Sequence, residues 1–255
     1  MKKMPVVFIG HGSPMNAIED NKYTRGWIEL AARIPKPEAI LAISAHWSVR
    51  GTRISDEPSP ETIYDMYGFP QELYNLKYSP AGAPALAHVT KELVGNAQID
   101  NSWGIDHGTW SILSKMYPKA DIPVLQMSVN KELKAQEHFE IGKKLKILRE
   151  QGVLIFGSGN VVHNLARVNW NMTGGHEWAD EFNNYIKDKI VKKGYKDVID
   201  YYKAGVIAEL SFTTSEHFDP LLYILGASED TDKLTIFNDS CTLGALSMTS
   251  YLFES

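Results

Sequence analysis

Eight histidines are spread along the chain, and five of them stand where chemistry is plausible. His11 follows the apolar run Val-Val-Phe-Ile-Gly and lies between Gly10 and Gly12. His46 follows Ile-Leu-Ala-Ile-Ser-Ala, and His163 comes shortly after Val-Leu-Ile-Phe-Gly-Ser-Gly. His107, in Asp-His-Gly-Thr-Trp, and His217, in Ser-Glu-His-Phe-Asp-Pro, sit in turn-like segments. Neutral imidazole is a borderline ligand that suits Zn, Fe, Cu and Ni. Ligands scattered along a chain can build a catalytic centre with an open coordination position. A lone histidine after a strand is more often a hydrogen-bonded structural residue, so the joint pattern is what points to a shared metal. The glycines beside His11 would let backbone come close to an ion or substrate. Asp106 and Glu216 adjoin His107 and His217 and are candidates to orient those rings. His88 and His138 fall in helical patterns and read as surface or packing residues, and His176 carries no special signal.

The elements that must position these residues are legible as alternating patterns. Val6–Ile9, Ala39–Ser44, Val124–Val129 and Val153–Gly157 are short apolar runs of the kind found in parallel strands covered on both faces. Helical spacing marks Thr24–Arg33, Ala83–Val94, Lys131–Arg149 and Trp178–Lys192, with Pro84 suiting a helix start. Leu234–Phe237 and Ser247–Phe253 read as later strands. Strands alternating with helices imply an α/β fold: a single domain over 1–255, with a central, mainly parallel sheet and helices on both faces. His11, His46 and His163 then fall at the C-terminal edge of that sheet, where open α/β sheets bind ligands. The stretch 56–78 is rich in Pro, Tyr and Glu, lacks periodicity, and is either a substrate-contacting lid or a plain surface loop.

Composition narrows the classes. The 255 residues are 44% hydrophobic and 22% charged, which is ordinary for a globular chain and excludes disorder and fibrous repeats. The net charge of -5 and the lack of a basic stripe argue against nucleic acid. Cys241 is the one cysteine, so no intrachain disulfide exists. The apolar run after Lys2-Lys3 is too short for a signal peptide, and no stretch approaches the roughly 20 apolar residues of a membrane span. A cytoplasmic protein without a membrane partner is expected, as monomer or homodimer. Gly157-Ser158-Gly159-Asn160 lacks the rest of a dinucleotide or phosphate-loop fingerprint. Gly12-Ser13-Pro14 is not a nucleophile elbow, and Ser13 reads better as a helix cap or as a hydrogen-bond donor behind a ligating residue. Cys241 reads as a small buried hydrophobe.

Five segments together carry a resemblance: Phe8-Ile9-Gly10-His11-Gly12-Ser13-Pro14, Ile43-Ser44-Ala45-His46-Trp47, Ile105-Asp106-His107-Gly108-Thr109-Trp110, Gly157-Ser158-Gly159-Asn160-Val161-Val162-His163-Asn164-Leu165 and Glu216-His217-Phe218-Asp219-Pro220-Leu221. In this order they resemble the class III extradiol ring-cleaving dioxygenases of the LigB type, in particular the bacterial and plant DOPA 4,5-dioxygenases. The resemblance implies one divalent metal ion per chain, with His11 and His46 as ligands and His217 where better-known members carry a ligating Glu. It implies that His163 is a fourth ligand or the acid/base, and that His107 lines the substrate pocket and takes part in catalysis. Because the set is all-histidine, both Fe(II) and Zn(II) are expected to suit it. The implied partners are a small catechol-type substrate, such as DOPA, and O2. Trp47, Tyr67, Phe69 and Trp110 are candidates for the pocket wall or for the core. Two alternatives use the same site: a zinc hydrolase, which would need no O2, and a catalytically silent metal-binding protein of the same fold.

Overall fold

Along Val6–Gly10 every side chain is buried, and successive residues enter different cores: Val6 and Phe8 pack on one face of the sheet, Val7 and Ile9 on the other. This is the period of two of a strand covered on both sides. In this computed structural model, which describes residues 3–255, ten strands form: β1 (Val6–Gly10), β2 (Ala39–Val49), β3 (Thr52–Ile54), β4 (Ala97–Ile99), β5 (Val124–Asn130), β6 (Val153–Gly159), β7 (Lys233–Phe237), β8 (Cys241–Thr242), β9 (Leu246–Ser247) and β10 (Ser250–Glu254). The helices are α1 (Lys22–Arg33), α2 (Gln71–Asn75), α3 (Pro84–Val94), α4 (His107–Met116), α5 (Ala135–Leu145), α6 (Glu177–Val191), α7 (Tyr195–Ile199), α8 (Val206–Ser211) and α9 (Asp219–Ala227).

Eight strands form one sheet in the order β4-β3-β5-β2-β6-β1-β10-β7. The middle four, β5, β2, β6 and β1, run parallel, and antiparallel pairings attach both flanks. Residues of α5, α6 and α9 fill the core on one face, and residues of α1 and α4 fill it on the other. The expected α/β architecture is therefore present. Among the described residues no helix is long and apolar enough to cross a membrane.

Capping explains several boundaries. Asn21 accepts from the amides of Tyr23 and Thr24 while Thr24 Oγ1 accepts from the Asn21 amide, a reciprocal cap that starts α1 two residues before the expected Thr24. Ser13 caps a short 3-10 turn at 14–17 by accepting from the Met15 amide, as expected of it. The expected helix 131–149 is instead α5 followed by a 3-10 turn that ends at Gly152 in the left-handed region. The single strand expected over 247–253 is two elements, β9 and β10.

Candidate metal centre and active site

Each histidine reaches the C-terminal edge of the sheet by a different device. His11 is the first residue after β1, and its amide donates to the Gly159 carbonyl at the end of β6. His46 lies within β2, in a bulge: Ser44 pairs with Ser128 and Ser48 with Val129, so three residues on β2 have no partner on β5. His107 is the first residue of α4, whose N-cap is Asp106. His163 follows β6, and its amide donates to the Ser211 carbonyl. His217 ends a 3-10 turn just before α9. Two glycines permit this convergence. A Cβ at Gly159 would lie 2.1 Å from the His217 carbonyl oxygen, and one at Gly108 would lie 2.8 Å from the His46 ring. Neither approach leaves room for a side chain.

The five rings form one cluster. His11 and His46 have centroids 5.0 Å apart, His11 and His217 5.2 Å, and His46 and His217 5.0 Å. His163 stacks on His217, with centroids 3.5 Å apart and ring planes 3° from parallel. His107 lies 3.8 Å from His46.

Hydrogen bonds fix which nitrogen of each ring is bare. Ser158 Oγ donates to the Gly108 carbonyl, so it can only accept from His11 Nδ1, 2.9 Å away. His217 Nδ1 faces Glu216 Oε1 at 3.2 Å. His46 Nδ1 lies 3.1 Å from Asp65 Oδ2. A proton on each Nδ1 that faces these oxygens leaves the Nε2 of the same ring unprotonated. His11 Nε2 and His46 Nε2 then face each other at 3.3 Å, and His217 Nε2 is buried without a partner. One ligand atom from each of the three lies within 4.8 Å of the others. Three bare lone pairs with no donor among them leave buried polar groups unsatisfied, which is costly unless a cation completes them. The 3.3 Å separation is also roughly the ligand–ligand edge of a tetrahedral site with bonds of about 2.0–2.1 Å. The donor set therefore fits a divalent metal.

Electrostatics agree. Burial, followed by the charges of neighbouring histidines, pushes His11 and His217 well below the ordinary imidazole range. Burial and then His46 push His163 down to about 4. All three are neutral at pH 7, the state that can ligate or accept a proton.

Of the two neighbouring acids expected to orient rings, Glu216 contacts His217 as anticipated. Asp106 does not serve His107. Its carboxylate accepts from Ser44 Oγ, Gln126 Nε2, Trp103 Nε1 and the Thr109 amide, tying the middle of β2 to β5 and α4. The residue beside His107 is Asp65, absent from the sequence reading, whose Oδ2 lies 3.0 Å from His107 Nδ1. It comes from the 56–78 segment, which is pinned by Ile63 N to the Ile105 carbonyl, Trp110 Nε1 to the Ile63 carbonyl and Tyr64 OH to the Leu76 carbonyl. No local signal marks an aspartate whose partners arrive from other elements. His46, Asp65 and His107 also satisfy the distance condition for an ion. Asp65 Oδ1 accepts from the His107 amide, whereas Asp65 Oδ2 and His107 Nδ1, 3.0 Å apart, are buried without an aligned hydrogen bond. Of the candidate wall residues, Trp47 and Trp110 are core, Phe69 packs against the core and Tyr67 is 93% exposed.

Likeness to known proteins agrees with this geometry. Residues 5–254 match the family described as the catalytic LigB subunit of aromatic ring-opening dioxygenase. The chain is 44% identical to a protein of Escherichia coli K12 named 4,5-DOPA dioxygenase extradiol, over 97% of this chain and 94% of the relative. A Beta vulgaris protein of the same name is 36% identical, over 97% and 96%. The crystal structure of the uncharacterized protein JW3007 from Escherichia coli K12 superposes with a TM-score of 0.85 at 41% identity, covering 98% of this chain and 99% of that one. With the fold, the full-length match and the histidine cluster in agreement, the chain belongs to the LigB family of aromatic ring-opening dioxygenases.

Proposed function

We propose that this chain is an extradiol dioxygenase that opens the ring of a catechol-type substrate, DOPA or a close analogue, with O2, using one divalent ion held by His11, His46 and His217. The observation that carries the reading is the convergence of three Nε2 atoms, from buried His11 and His217 and half-buried His46, on rings whose Nδ1 atoms face protein oxygens. The relatives named 4,5-DOPA dioxygenase extradiol, similar over nearly the whole length, support the substrate class. When bound, the ion, Fe(II) for O2 chemistry or Zn(II) as an equally acceptable occupant of an all-histidine set, would supply a Lewis-acidic centre where catecholate and O2 meet.

The chain's own groups handle protons and position. His163, neutral at pH 7, accepts a proton from a substrate hydroxyl. Its face-to-face stacking on His217 keeps it against the ligand set, a place equally suited to a fourth ligand. His107 lines the substrate pocket and takes part in proton transfer from its place beside His46. Residues 1–255 act as one catalytic domain, working as monomer or homodimer in the cytoplasm. The test is to strip the protein, load it with Fe(II) anaerobically, add L-DOPA or a simpler catechol, and admit air. A yellow ring-opened product with one O2 consumed per ring supports the proposal. No product and no O2 uptake across a panel of catechols overturns it.

A further inference from the structure

One carboxylate reaches two histidines of the cluster. Asp65 Oδ2 lies 3.1 Å from His46 Nδ1 and 3.0 Å from His107 Nδ1, while Oδ1 accepts from the His107 amide at 2.9 Å. Both separations are of hydrogen-bond length, but neither Asp65 Oδ2 nor His107 Nδ1 has an aligned hydrogen bond in this arrangement. The side chain is 11% exposed. The segment bearing it is held at Ile63 and Tyr64, immediately before it, so the carboxylate has little freedom to move away. His46 needs such an anchor more than its neighbours do. It sits in a three-residue bulge, where the sheet no longer fixes its direction. His11 leans on Ser158 of β6 and His217 on the adjacent Glu216.

We infer that Asp65 is a positioning residue that holds the rings of His46 and His107 in a common Nδ1–H tautomer, so that a ligand on β2 and a pocket residue on α4 are set by one carboxylate. This rests on the proposed metal centre. It assigns the 56–78 segment a function, the delivery of that carboxylate. A carboxylate behind a ligating imidazole fixes its tautomer and raises its basicity, and losing such a partner typically costs about 10–100-fold in metal affinity. Asp65→Asn leaves one acceptor oxygen: turned toward the two rings it sets its NH2 against the His107 amide donor, and turned the other way it presents a donor to the rings.

The experiment compares native protein and Asp65→Asn for Co(II) and Zn(II) affinity by chelator competition, with the visible Co(II) band and metal-free thermal unfolding as companions. The expected result is a 10–100-fold weaker affinity and a changed Co(II) band, with the unfolding temperature of the metal-free variant moved little. A variant with native affinity and band overturns the inference, as does one whose loss is confined to unfolding temperature. Two ions bound per native chain, one of them lost in the variant, also overturn it, because Asp65 would then be a ligand. If Asp65→Asn does not fold, nitrogen–proton correlation spectra of the native metal-free protein decide: His46 and His107 as Nδ1–H tautomers support the inference, and either as Nε2–H overturns it. Failure of the metal centre itself reads differently, since native protein would then bind no ion at all.

Discussion

The two ends of the central sheet both bury polar side chains, but they treat them in opposite ways. At the N-terminal end, just before β6, Arg149 is fully buried and each of its three guanidinium nitrogens donates. Its Nε donates to the Met4 carbonyl, Nη1 to the Ala227 carbonyl and to Asp232, and Nη2 to the other oxygen of Asp232. Asp232 also accepts from the Glu229 amide. At the C-terminal end, His11, His46 and His217 spend one nitrogen each on protein partners and leave the other bare. A closed network holds elements together and asks for nothing more. An open one is tolerated only where something from outside completes it. An open nitrogen alone does not mark the site: His138 bonds Tyr223 OH through Nδ1 at 2.8 Å and leaves its buried Nε2 without a hydrogen bond, 3.6 Å from Asp219, but it stands apart from the histidine cluster.

If that contrast is right, the two ends must respond differently to mutation. The largest effect is expected at the open end on activity. His46→Gln should lower turnover by about 1,000-fold or more, equivalent to roughly 4 kcal/mol, while chemical denaturation of the metal-free protein shifts by less than about 1 kcal/mol. At the closed end the pattern reverses. Arg149→Ala strands a buried carboxylate and should cost about 3–5 kcal/mol of folding stability, with metal affinity of the folded fraction unchanged in chelator competition.

Metal removal is expected next in size. An ion that binds only the folded state adds about 2.7 kcal/mol when present at 100 times its dissociation constant, so calorimetry of loaded and stripped protein should differ by that order, and Arg149→Ala should preserve the difference. The stripped protein should also be acid-sensitive. Burial first, and neighbouring groups second, lower the pKa values of His11, His217 and His163, the last to about 4, and burial lowers that of His138 to about 4. The unfolded chain therefore binds more protons than the folded one over this range. Stability is complete above about pH 6.5 and falls as pH drops toward 4. Asp219, raised to about 7 by burial, acts in the opposite sense with one proton against several. Smallest of all, Tyr67→Ser at a solvent-exposed position should change stability by no more than about 0.5 kcal/mol.

Much of this was legible in the residues. Runs such as Val-Val-Phe-Ile-Gly and Val-Leu-Ile-Phe-Gly, short and rich in β-branched and aromatic residues, read as covered strands, and they place His11 and His163 beyond the sheet edge. Other features carry no local mark. The bulge at His46 is visible only in pairing with β5. α9 is buried throughout and α4 everywhere but Ser114 and Lys115, so neither shows the wide polar stripe that identifies a surface helix. β3 and β4 span three residues each, too short for any period to show. Asp106 adjoins His107 in sequence, but its carboxylate is taken by β2, β5 and its own helix, while Asp65 serves the ring from a distant loop. Adjacency along the chain says little about where two side chains point.

The central claim is that three imidazoles from separate elements share one ion. Anomalous diffraction from crystals soaked with Zn(II) or Fe(II), collected on both sides of the metal edge, tests it most directly. The account expects one strong peak per chain, within bonding distance of the Nε2 atoms of His11, His46 and His217. A peak beside Asp65 and His107 instead, or none at full loading, would contradict it.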